Sequence, residues 1–191
     1  MQPDENRAKE ATVTKMRLGM AVVAMLTIGG AAAVTPHAQG GGKRHVKATL
    51  NGLQEDPSVS TSASGTFDAT IDDVAQLIDF TFTYQGLEGG NSLFAHIHFG
   101  SSDHNGGVAA FLCGGSTKPA PCTNVNGTVT GTIGVADVVG PTAQGIDPGQ
   151  WGELVAAIRA GHTYVNIHTT RWPGGEIRGQ VNDDDQRETR K

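Results

Sequence analysis

The chain has 191 residues, with 19 Asp and Glu against 14 Lys and Arg, a formal net charge of −5, 27 glycines, seven histidines and two cysteines. No basic cluster accompanies the acidic balance, which removes electrostatic support for nucleic-acid binding. The glycine content suits many tight turns and leaves little room for long helices, and no G-x-S-x-G, H-E-x-x-H or phosphate-cradling glycine loop points to a common enzyme class.

Arg7, Lys9, Lys15 and Arg17 lead into an uncharged run from Leu18 to Val34 that contains the small residues Ala31, Ala32 and Ala33, with Ala38 just beyond. This is the layout of a secretory signal peptide, expected over residues 1–38, with cleavage at Ala33 or Ala38 and Met16 as an alternative start. The run is short for a membrane span, which takes about 20 residues; an uncleaved anchor is the competing reading. A secreted or periplasmic location follows, with no span in the mature chain. Residues 39–45, with Gly40, Gly41 and Gly42, read as a flexible lead-in. A single domain is expected over 46–182, and the charged residues 183–191 read as a tail.

Within the domain, strand signals fall at 46–50, 65–71, 77–84, 93–99, 107–112, 127–133, 163–169 and 176–181. The segment 77–84 is the clearest, since Ile78, Phe80, Phe82 and Tyr84 alternate with polar residues. So many short strands, punctuated by Gly, Asn, Asp and Pro, predict an all-β fold: a Greek-key-like antiparallel β-sandwich with one short helix. For that helix, Asp147 is the expected cap, Pro148 falls in the first turn and Gly161 ends it. Trp151, Leu154, Val155 and Ile158 make one apolar stripe that packs on the strands. Cys113 and Cys122 pair as a disulfide if the chain is exported; their spacing fits no common zinc pattern.

Two of the strands carry histidines. Alternation puts His96 and His98 on one face of 93–99, opposite Ala95, Ile97 and Phe99; it puts Tyr164, Asn166 and His168 on one face of 163–169, opposite Val165 and Ile167. If the strands meet, three imidazoles converge. Neutral imidazoles suit copper, zinc or nickel; the other reading is a hydrogen-bonded structural cluster, held to backbone or to Glu176. Asn166, Glu176 and Thr169 are the candidate partners for the outer ring nitrogens. His104 reads as a solvated loop residue, His162 as too far along its strand to join the set, and His37 and His45 as incidental. Glu55–Asp56 and Asp72–Asp73 are adjacent pairs whose side chains diverge, which suits them poorly to paired acid–base work. Trp172, in the turn Arg171–Gly175, reads as packing over a hairpin or as a contact residue of an adhesion module.

The motifs Ala48-Thr49-Leu50-Asn51-Gly52-Leu53-Gln54-Glu55, Ala95-His96-Ile97-His98-Phe99-Gly100, Tyr164-Val165-Asn166-Ile167-His168-Thr169 and Pro173-Gly174-Gly175-Glu176-Ile177-Arg178-Gly179-Gln180 together resemble the CHRD domain, the module named after chordin. The resemblance runs over residues 46–181. It implies an all-β extracellular module, in a stand-alone, bacterial-type form to which the growth-factor role of chordin does not transfer. Its partner would be an unidentified protein or envelope component. A fainter resemblance joins the His96–His98 and His168 strands to the copper-site strands of copper/zinc superoxide dismutases. It implies His96, His98 and His168 as copper ligands, with Arg178 as an anion-attracting residue beside the metal if the site is redox-active. The loop that holds zinc in those enzymes offers only Asp103 and His104 here. The sequence therefore leaves two functions open: a binding or structural module of the cell exterior, or a mononuclear copper protein, with zinc as the alternative metal.

Overall fold

The computed structural model of the protein describes residues 43–183; the expected signal peptide, the glycines of the lead-in and the charged tail beyond Asp183 lie outside the described residues. Among the described residues the strands are β1 (Arg44–Asn51), β2 (Ser64–Asp72), β3 (Leu77–Gln85), β4 (Ser92–Phe99), β5 (Gly107–Cys113), β6 (Gly127–Ile133), β7 (Thr163–Thr169), β8 (Ile177–Gln180) and β9 (Asn182–Asp183), with one α-helix, α1 (Trp151–Arg159). The first eight fall on the segments that alternation marked. The short β9 had no sequence signal; it pairs with β1.

All strand pairs are antiparallel, in the order β5-β4-β7-β8-β1-β2-β3-β6. The edge strands β5 and β6 approach each other, so the sheet is nearly closed around one core. The connections β3–β4 and β6–β7 jump between non-neighbouring strands, which gives the expected Greek-key character, although the strands hydrogen-bond as one continuous sheet and not as two separate layers. A disulfide joins Cys113, at the end of β5, to Cys122 in the segment before β6.

The core is built from inward rows. Val46, Ala48 and Leu50 of β1, Phe67, Ala69 and Ile71 of β2, and Ile78, Phe80 and Phe82 of β3 are all buried. Ala95 and Ile97 of β4 face Ile167 and Val165 of β7 across the ladder. Each fully buried large apolar side chain contributes about 1.5–3 kcal/mol relative to exposure. The stripe on α1 joins this core through Trp151, Leu154, Val155 and Ile158.

The start of α1 differs from expectation. Gly149 has φ +84°, a left-handed conformation that breaks helical geometry between Pro148 and Gln150. The helix therefore begins at Trp151 with Gln150 at its N-cap, and Asp147 does not cap it; the Asp147 N–H instead donates to the Gln150 side chain at 2.8 Å. The end is as expected: Gly161 and His162 close it with N–H bonds to the carbonyls of Ile158 and Ala157, both 3.0 Å.

β7 is buried along its whole length, on both faces. One face is core. The other carries Tyr164, Asn166 and His168, and only overlying loops can bury it.

The disulfide closes a loop spanning nine positions of sequence. Replacing both cysteines by alanine is expected to lower unfolding free energy by about 2–3 kcal/mol in the chain-entropy picture, read as a lower urea midpoint at unchanged m-value.

Candidate metal centre

Register places the histidines. In the β4–β7 ladder, Phe94 faces His168, His96 faces Asn166 and His98 faces Tyr164; in the β7–β8 ladder, Asn166 faces Arg178 and Tyr164 faces Gln180. These side chains form one patch on the outer face, away from the apolar core. His96, His98 and His168 are 3%, 8% and 5% exposed. One ligand nitrogen from each lies within 4.8 Å of the others. The ring centroids of His96 and His98 are 4.4 Å apart, and those of His96 and His168 4.5 Å.

Aromatic rings wall the cluster. Phe94 lies 5.2 Å from the His96 ring and 4.8 Å from the His168 ring, Phe111 of β5 packs on His96 at 5.3 Å, and Tyr164 stacks on His98 at 4.6 Å with planes 6° apart. Two loops reach over the open sides and supply carbonyls. His98 Nδ1 lies 2.8 Å from the Gly106 carbonyl oxygen, and His168 Nδ1 lies 2.9 Å from that of Pro173. A carbonyl only accepts, so both Nδ1 atoms carry the proton and donate it.

Burial sets the charge state. It pushes the His96 pKa down to about 2, with the neighbouring His98 and His168 adding to the effect. It pushes His98 down to about 4, against the opposing bond to Gly106, and it lowers His168 as well. All three rings are neutral at pH 7. In a neutral ring whose Nδ1 holds the proton, Nε2 presents a bare lone pair. His98 Nε2 is buried with no hydrogen-bond partner among the protein's groups, and so is His96 Nδ1. His168 Nε2 lies 3.0 Å from Asn166 Oδ1.

The outer partners differ from the sequence expectation in part. Asn166 is in place beside the imidazoles. Glu176 is not: its carboxylate accepts from Thr61 Oγ1 at 3.0 Å and from the backbone N–H groups of Glu88 at 2.6 Å and Gly89 at 3.0 Å. Thr169 packs against Gly89. Arg178, expected beside the ion, lies across the Tyr164 ring at 3.4 Å from its centroid. Strand order puts His98 on one side of Tyr164 and Arg178 on the other. Its guanidinium donates to the carbonyls of Ser101 (2.7 Å) and His104 (2.8 Å) and to Asn105 Oδ1 (3.1 Å), which holds the 101–105 loop down. His104 is an exposed loop residue beside Asp103, and His162 is exposed just ahead of β7; neither joins the cluster. Trp172 is half-buried, with the Arg171 guanidinium stacked on it at 4.6 Å.

By sequence, Glu55 and its neighbour Asp56 diverge, which suits the pair poorly to acid–base work. The fold gives Glu55 another role. It is 6% exposed, and its Oε1 is buried without a hydrogen-bond partner, on the same side of Gly175 as Asn166 Nδ2. Burial raises its pKa to about 7, opposed chiefly by the charge of Arg178. A cleft of about 250 Å³ lined by Glu55, Asp56, Asp103 and Arg178 opens beside it. Gly175, at φ +131°, makes room for the pair: a Cβ there would lie 2.3 Å from Glu55 Oε1 and 2.8 Å from Asn166 Nδ2.

The fold and site define an antiparallel β-domain with a buried three-imidazole centre on its outer face. A family model for the CHRD domain matches residues 46–181, and the chain belongs to that family. No curated protein and no solved structure matches it.

Two outcomes are expected. Gly175→Ala should destabilise the domain by roughly 1–3 kcal/mol, from the collision and the strained backbone together, measured by urea unfolding. In chelator, acid should weaken the fold: the unfolded chain takes up protons on these histidines near pH 6.5, whereas the folded values are lower, so stability present above pH 6.5 is lost as pH falls toward 4. Glu55 has the opposite sign, since its folded value is raised and its contribution fades as pH rises from 4.5 to 7. Glu55→Gln should therefore steepen the loss between pH 6.5 and 4.5, read from urea midpoints.

Proposed function

We propose that this CHRD domain is an exported binding module that holds one transition-metal ion on His96, His98 and His168, with copper the favoured ion and zinc the alternative. The observation that carries the reading is the pair of Nδ1–H bonds to the Gly106 and Pro173 carbonyls, which leaves two Nε2 lone pairs turned inward. Lone pairs buried together without donors are costly. A cation relieves that cost, and the low proton affinity of the buried rings leaves a metal as the fitting cation at neutral pH. Backbone carbonyls bonded to the outer nitrogens of His ligands are the usual support of such sites. Among divalent ions, imidazole sets favour copper most strongly.

Copper would supply one-electron chemistry there, and zinc a Lewis acid. The chain's own residues do the rest. The Gly106 and Pro173 carbonyls fix two tautomers, while Phe94, Phe111 and Tyr164 exclude water. Arg178 acts as a positioning residue that fastens the loop bearing Gly106. Export over residues 1–38 belongs to the same proposal; it is supported by the disulfide and by the extracellular character of CHRD domains. Among the described residues no helix is long and apolar enough to cross a membrane.

Elemental analysis of the purified full chain after copper loading and gel filtration tests this. About one copper per chain is expected, with near-complete loss in His168→Ala. Equal uptake in both proteins overturns the site. No uptake in either leaves the imidazoles as a structural cluster in a module that binds an outside partner, and His168→Ala should then show only a lower melting temperature.

A further inference from the structure

We infer that Asn166 supplies a fourth ligand, its amide oxygen, and that Glu55 is the positioning residue that aims it. The inference rests on the three-histidine reading above and extends it. Asn166 sits between Tyr164 and His168 in the outer row of β7, directly across the ladder from His96. Its Oδ1 lies 3.0 Å from His168 Nε2. With the His168 proton committed to Pro173, that contact joins two acceptors. Acceptors so close repel unless a positive charge lies between them.

The separation is the one a shared metal produces. Two donor atoms each about 2.0–2.1 Å from an ion, subtending roughly 90–110° there, lie about 2.9–3.4 Å apart. The amide orientation follows from the other side of the residue. Asn166 Nδ2 and Glu55 Oε1 both lie against Gly175, and Glu55 Oε1 is buried with no hydrogen-bond partner, so Nδ2 is on the Glu55 side while Oδ1 faces the imidazoles. Gly175 leaves space for this arrangement, as its missing Cβ would overlap Glu55 Oε1 and crowd Asn166 Nδ2. A carboxylate oxygen beside Nδ2 also polarises the amide toward Oδ1, which makes it a better donor to a cation. The centre then has three imidazole nitrogens and one oxygen, and its oxygen ligand reaches the surface cleft through Glu55.

The probe is Cu²⁺ added to the full-length protein, read by competition titration and by electron paramagnetic resonance. Asn166→Ala is expected to keep one bound copper, to weaken affinity about 10–100-fold and to change the copper hyperfine splitting as an oxygen donor is lost. Glu55→Gln should give a smaller shift of the same signal. The double variant Asn166→Asp with Glu55→Gln exchanges donor and acceptor and should restore an oxygen-ligated spectrum. Wild-type affinity and an unchanged spectrum in folded Asn166→Ala, with uptake still abolished in His168→Ala, overturn the fourth ligand and leave the three-histidine site standing. Undiminished uptake in His168→Ala overturns both. If Asn166→Ala fails to fold by circular dichroism, the double variant decides: a spectrum lacking the oxygen signature counts against the proposal.

Discussion

Two backbone carbonyls govern what the imidazoles of this domain can be. Gly106 and Pro173 lie in different loops, one between β4 and β5, the other between β7 and β8, and each takes the Nδ1 proton of one histidine. A histidine with both nitrogens free to choose can join a hydrogen-bond chain as donor or acceptor. A neutral ring committed at Nδ1 has only a lone pair left to offer. The chemistry of the cluster is thus set by loop backbone, at positions whose side chains play no part.

That constraint requires loops that stay in place. The outer face of β4, β7 and β8 would be open to solvent without them. Arg178 supplies three charge-assisted bonds to the 101–105 loop while its guanidinium lies flat on Tyr164. Bonds of this kind are stronger than neutral ones, and the planar guanidinium suits both the stacking and the fork of acceptors. Glu176, fully buried, gathers Thr61 and the backbone at Glu88 and Gly89. The two buried charges sit two residues apart on the return from the Arg171–Gly175 turn, and each stitches a different loop to the sheet. A burial cost of several kcal/mol per ion is offset only because every loop they hold is hydrogen-bonded in return.

The aromatic wall and the low dielectric act together. Phe94, Phe111 and Tyr164 remove water from the rings, and removal of water is the main reason the imidazoles resist protonation. The same desolvation acts on Glu55 with the opposite outcome, raising its pKa. One polar patch therefore holds bases kept neutral beside an acid held near its midpoint at neutral pH, a pairing typical of functional sites and also of buried structural networks.

Much of this was legible in the residues themselves. Strand alternation is local, so the rows Ile78–Phe80–Phe82 and His96–His98 and the shared face of Tyr164, Asn166 and His168 could be read directly, as could the α1 stripe and the cysteine pair. The start of α1 is not legible in this way, because a single left-handed glycine, Gly149, outweighs the preference of Asp147 for a helix start. Tertiary structure alone decided that β4 lies beside β7 and β7 beside β8, that Phe111 closes over His96, and that Glu55 meets Asn166 across the space left by Gly175. It alone turned Glu176 away from the histidines and set Tyr164 between His98 and Arg178. Periodicity fixes which side of its own strand a residue occupies. Which strand lies alongside, and which loop folds over it, depends on packing between distant segments, and no local spacing encodes that.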